Sequence, residues 1–146
     1  MYNLIVKEIT KEGILQLLSE VCNLLNNENI DYLVYGSTAD LLYGNKEIQP
    51  HDIDLIVKEE DCERIISSIK TLNFNPIKTP YSIHANSIIY RGLDNKPFDI
   101  SFDSYEYYFR KHNIDLNNFG TIYVKGINIK VMKLHDLKEK LKEYNK

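Results

Sequence analysis

Residues 52–57 read Asp-Ile-Asp-Leu-Ile-Val, and no other stretch of the chain restricts the fold as much. In an extended strand, successive side chains face opposite ways. Asp52 and Asp54 therefore share one face, and Ile53, Leu55 and Val57 share the other. A strand so patterned belongs to a sheet with one face packed on helices and the other lining a cleft. The two carboxylates start from Cα atoms ~6.5 Å apart, and their free ends can converge on a shared cation. Left unpaired at close range, they repel and one pKa rises. A divalent ion removes that repulsion, and oxygen-only ligands suit magnesium. The plainer alternative is a solvated outer face, which half-exposed strands carry as a rule.

Two further segments bear on this choice. Phe98-Asp99-Ile100-Ser101-Phe102-Asp103 alternates strictly, with Phe98, Ile100 and Phe102 inward and Asp99, Ser101 and Asp103 outward. An acid on a neighbouring strand and the same face gives a three-carboxylate site. Such a site suits two-metal phosphoryl chemistry, in which ions about 3.5–4 Å apart clamp the attacking and leaving oxygens. Asp103 also suits a cap for the helix that follows it, and Asp94 suits a turn. Upstream, the run Tyr32–Tyr35 ends in Gly36-Ser37. Glycine permits a tight turn or a close backbone approach, and a helix N-terminus favours anions. Ser37 with Asp40 reads as a Ser-x-x-Asp capping box. No GxxxxGK[ST] occurs, which excludes a P-loop.

The remaining pattern interleaves helices and strands. The spacing of Ile14, Leu17, Leu18, Val21, Cys22, Leu24 and Leu25 predicts a helix from Thr10 to Asn27. Tyr32–Tyr35 reads as a buried strand, Ser37–Tyr43 as a short helix closed by Gly44, and Asn45–His51 as a loop. The second strand is Asp52–Lys58, followed by a helix over Glu59–Leu72 and a brief strand over Phe74–Ile77. Ser82–Arg91 and Pro97–Asp103 flank a turn-rich spacer and read as a hairpin. Tyr105–His112 reads as a short aromatic helix, Thr121–Lys125 with Ile127–Met132 as a second hairpin, and Leu134–Tyr144 as a charged terminal helix. The class is α/β or α+β, with a mixed central β-sheet flanked by helices. At 146 residues, one domain over 1–146 with a real core is expected.

Composition removes several function classes. The net charge is −3, so no large basic field exists to hold a nucleic acid by backbone charge alone, which leaves only a local patch for such a role. No run approaches the ~20 apolar residues of a membrane span. The N-terminus MYNLIVKEITKEG has acids and too short an apolar run for a signal peptide. A soluble cytoplasmic protein is the expectation. Cys22 and Cys62 lack metal or redox spacing and read as reduced, buried thiols.

LVYGSTADLLYG, HDIDLIV and PFDISF, in that order, resemble the nucleotidyltransferase superfamily that includes DNA polymerase beta. Within it the chain resembles small single-domain bacterial nucleotidyltransferases, relatives of the antibiotic and abortive-infection nucleotidyltransferases. The resemblance covers most of Ile30 to Leu137, and INIKVMKLHDL echoes the ending of such domains. It implies transfer of a nucleoside monophosphate from a nucleoside triphosphate, ATP foremost, to an acceptor hydroxyl on a protein, an RNA end or a small molecule. Gly36 and Ser37 would hold the triphosphate. Asp52, Asp54 and Asp99 would be the catalytic and metal-binding acids, with magnesium (Mn2+ as a substitute) in a two-ion site. Asp99 would help activate the acceptor.

The chain departs from the pattern at Gln49-Pro50-His51, where many relatives carry Ser or Thr, and in its short terminal helix. Lys138, Lys140 and Lys142 suit an exposed helix face or an approach to phosphates. His51 reads as a loop residue at the cleft edge, and His84, His112 and His135 show no metal spacing. Tyr105, Tyr107 and Tyr108 suit either packing or stacking on a base or sugar. No acceptor-binding domain is evident, which points to a protein partner or a homodimer. The alternative function is a non-catalytic nucleotide-binding or antitoxin-like partner module.

Overall fold

The computed structural model describes residues 2–45, 47, 50, 52–72, 74–78, 87–91 and 99–139. The first helix, α1, runs Tyr2–Asn27. It begins well before Thr10, and no Gly or Pro interrupts the chain between Tyr2 and Thr10. Its inward stripe of Ile14, Leu17, Leu18, Val21, Cys22 and Leu25 is fully buried. Each such aliphatic side chain contributes about 1.5–3 kcal/mol by leaving water.

Strand β1 is Tyr32–Tyr35 and α2 is Gly36–Leu42. Ser37 is not the N-cap of α2. Tyr35 occupies that position, and no side chain caps it. Gly36 takes φ +71° and turns the chain out of β1 so sharply that Ser37 already lies inside the helix. The Ser37–Asp40 capping box is therefore not used. Gly44, at φ +99°, ends the helix as expected, its N–H donating to Leu41 O at 3.0 Å.

Strand β2 is Asp52–Val57 and α3 is Cys62–Ile69, framed by single 3-10 turns over Glu59–Asp61 and Lys70–Leu72. Lys58 lies outside the strand and pairs with Asp31 at 3.1 Å. Strands β3 (Asn75–Lys78), β4 (Ser87–Arg91) and β5 (Asp99–Ser104) follow. The expected hairpin exists as the antiparallel β4–β5 pair; its spacer, with Asp94 and Phe98, lies outside the described residues. A π-helical turn over Tyr105–Phe109 leads into a 3-10 turn, Arg110–His112. Then come β6 (Phe119–Val124), β7 (Ile127–Met132) and α4 (Leu134–Glu139).

Among the described residues, seven strands form one mixed sheet in the order β3-β4-β5-β2-β1-β7-β6. β2 runs parallel to β5 and β1 parallel to β7; the other pairs are antiparallel. Helix α1 packs across β2 and β7 and against α3. Ile53, Leu55, Val57, Ile100 and Phe102 are buried, as the alternation required. Cys22 is buried and Cys62 half-buried, both as free thiols. Among the described residues, no helix is long and apolar enough to cross a membrane.

Candidate active site

The fold brings the three predicted acids together by register. β2 and β5 lie side by side in parallel, with Asp52 opposite Asp99 and Asp54 opposite Ser101. Paired residues in a sheet point to the same face. Asp52, Asp54 and Asp99 accordingly line one cavity of about 310 Å3, together with Tyr35, Ser101, Asp103, Tyr108 and Phe109. Asp52, Asp54 and Asp99 are half-buried.

Gly36 sits at the same end of the sheet. Tyr35 pairs with Asp54 across β1 and β2, and a Cβ on Gly36 would lie 3.3 Å from Asp54 Oδ2. The turn thus passes so close to the second aspartate that a bare Cα fits best. Ser37 follows at the start of α2, half-buried, and is not among the cavity's described lining residues. Thr38, fully buried, donates to Asp52 O at 2.9 Å. That bond ties the first turn of α2 to the entry of β2.

The electrostatics follow from this crowding. Burial, the nearby charges of Asp52 and Asp103, and a hydrogen bond to Asp52 that favours the protonated form push the Asp54 carboxyl up to about 8. Burial and the charge of Asp103 hold the Tyr35 phenol far above its ordinary range, so it stays protonated. Among the described residues, no three His, Cys, Asp or Glu side chains are gathered closely enough to hold a metal as they stand. The donor set nevertheless suits magnesium: it consists of carboxylate oxygens, and the mutual repulsion that raises Asp54 is what a divalent cation would relieve.

The largest correction concerns Asp103. It does not cap the following helix, and although it shares the cavity face with Asp99 and Ser101 as the alternation required, it is buried there rather than solvated. Ser104 caps the following turn instead, accepting from Tyr107 N at 3.1 Å. Asp103 is only 7% exposed and accepts hydrogen bonds from Tyr35 Oη at 2.5 Å, Ser87 Oγ at 2.6 Å and Ser101 Oγ at 2.5 Å. The signal was present in the sequence, since Asp103 continues the alternation of Asp99 and Ser101. Tyr35 gave no such cue, because it ends a run that reads as uniformly buried. Of the three tyrosines, Tyr108 lines the cavity, Tyr107 is exposed and Tyr105 lies beneath the Arg110 guanidinium, 6.0 Å away. His51, His84, Lys140 and Lys142 fall outside the described residues; Lys138 is exposed.

A family model described as aminoglycoside-2''-adenylyltransferase matches residues 17–136. Among solved structures, a candidate nucleotidyltransferase from Thermotoga maritima is 19% identical, with 86% of this chain and 81% of that one covered and a TM-score of 0.62. The lincosamide antibiotic adenylyltransferase LnuA, solved with lincomycin bound, is 13% identical, covering 88% and 84% at a TM-score of 0.57. The antibiotic-resistance factor ANT(2'')-Ia is 11% identical, covering 88% and 68% at a TM-score of 0.56. At these identities the structural likeness speaks to the fold. No curated protein matches the sequence.

Proposed function

Since the chain belongs to the aminoglycoside-2''-adenylyltransferase family, a nucleotidyltransferase family, we propose that it moves a nucleoside monophosphate from a nucleoside triphosphate to an acceptor hydroxyl. ATP is the favoured donor, because the family is one of adenylyltransferases. The observation that carries the reading is the register of β2 and β5, which sets Asp52 opposite Asp99 on the face that also carries Asp54.

Gly36 and Ser37 hold the triphosphate, with backbone N–H groups and the Ser37 hydroxyl as donors. Asp52 and Asp54, with Asp99, would hold magnesium. A bound divalent ion would neutralise phosphate charge and bring nucleophile and leaving group into line. The acceptor oxygen attacks the α-phosphorus, the bond to the bridging oxygen breaks, and pyrophosphate leaves with its electron pair. Asp99 takes the hydroxyl proton. Tyr108 and Phe109 supply an aromatic wall beside the acids. The acceptor is a small molecule in this reading, because the matching family is described by an aminoglycoside acceptor.

The test is incubation with labelled ATP and magnesium over a panel of hydroxylated acceptors, amino-sugar and lincosamide antibiotics included. Pyrophosphate release and acceptor labelling are expected. Asp52→Asn and Asp54→Asn should each lower the rate at least a hundredfold while the far-ultraviolet spectrum is unchanged. Full activity in both variants would sink the assignment. Tight ATP binding without pyrophosphate release across the panel would leave a nucleotide-binding module in its place.

A further inference from the structure

Asp103 is a fourth acid in a site that has three acids for its chemistry. An ionised carboxylate offers about four acceptor positions, and here three are filled by hydroxyl donors from three different strands. Ser87 comes from β4, Ser101 from β5 and Tyr35 from β1. A carboxylate engaged in this way has little left to offer a cation. Stability alone is a weak reason for such a group, since well-packed apolar side chains commonly serve a buried position as well or better.

The Tyr35 bond is the informative one. Tyr35 stands on β1 opposite Asp54 of β2, and Asp103 stands on β5, the strand beyond. The phenol therefore lies across the central strand, over the acids' own face. Its ring is held against Phe109 at 4.9 Å in an edge-to-face contact. The next residue is Gly36, whose backbone passes against Asp54. Fixing Tyr35 at its hydroxyl end thus fixes the turn that presents Gly36 and Ser37 relative to the aspartates of β2.

We propose that Asp103 is a positioning residue rather than a metal ligand, acting through Tyr35 to hold the Gly36–Ser37 turn in register with Asp52 and Asp54. This rests on the nucleotidyltransferase reading above. Tyr35→Phe removes the hydroxyl and keeps the ring; Asp103→Asn keeps the shape and removes the charge. Each single variant and the double variant are to be compared with the unaltered chain and with Asp52→Asn.

Magnesium–ATP affinity should fall about tenfold in each single variant, the scale of one charge-assisted hydrogen bond. The double variant should be no weaker than the weaker single one. Manganese affinity, read by electron paramagnetic resonance, should stay within about twofold of the unaltered chain, whereas Asp52→Asn should lose it. Loss of manganese in Asp103→Asn to the extent seen in Asp52→Asn would overturn the proposal, as would unchanged ATP affinity in a folded Tyr35→Phe. If Asp103→Asn does not fold, Tyr35→Phe decides on ATP affinity alone. A chain that transfers nothing to any acceptor would sink the catalytic reading, while these binding measurements would still separate ligand from positioner.

Discussion

Asp54 shows how one carboxyl can report on its whole neighbourhood. Its pKa is about 8 in the fold against an ordinary value of 3.8, so the folded chain binds a proton that the unfolded chain has released. Stability from this group is therefore greatest at low pH. It falls as pH rises from about 4 to about 8, and the loss is complete above that. In the presence of a chelator, the melting temperature should decline between pH 5 and pH 8. The corresponding free energy is about 1–3 kcal/mol, given 1.36 kcal/mol per unit of pKa shift and a group that retains some solvent. Asp54→Asn should flatten the decline, and magnesium should shrink it; a slope that survives in Asp54→Asn would show that other groups cause it. Gly36 adds a second case at this scale. With φ +71° and only 3.3 Å between an added Cβ and Asp54 Oδ2, Gly36→Ala should destabilise by about 1–2 kcal/mol. Thermal denaturation measures that loss, and transfer activity should fall by more than the lost stability explains.

Single elements were the most legible level of the structure. β1 runs over the same residues read from its apolar run, and the β6–β7 hairpin forms around Gly126 as its alternation required. Its turn carries Lys125 at φ +49° and Gly126 at φ +86°, the two left-handed residues of a type I′ turn. Lysine tolerates that conformation poorly, so Lys125→Asn should stabilise the chain by about 0.5–1 kcal/mol, less whatever the exposed Lys125–Glu12 pair contributes; a chemical denaturation curve decides. What escaped were features whose cause is not local. The start of α2 depends on a backbone angle at Gly36 that a Ser-x-x-Asp pattern does not encode. Asp103 has the same sequence context as a solvated or capping aspartate. Only the arrival of Tyr35 from another strand makes it a buried acceptor.

At the scale of the molecule, the order of the sheet could not be read from the chain, because both parallel pairings join segments far apart in sequence. The class was legible from the interleaving of helical and strand periods, and the acids' shared face from the twofold alternation. That Asp52 stands opposite Asp99 required the β2–β5 register itself. The same topology governs how the molecule comes into being. β2 sits at the centre, and its neighbour β5 emerges only after α3, β3 and β4, while Tyr35 waits for an acceptor 68 positions away. Pairings of such long range close slowly, and their loop entropy is offset only when the contacts finally form. On a ribosome, the β1 turn and the two aspartates of β2 would be made first and stand without Asp99 beside them until β5 docks. The nascent chain therefore carries Asp52 and Asp54 apart from Asp99 throughout the making of α3, β3 and β4, and the three acids meet only when β5 docks on β2.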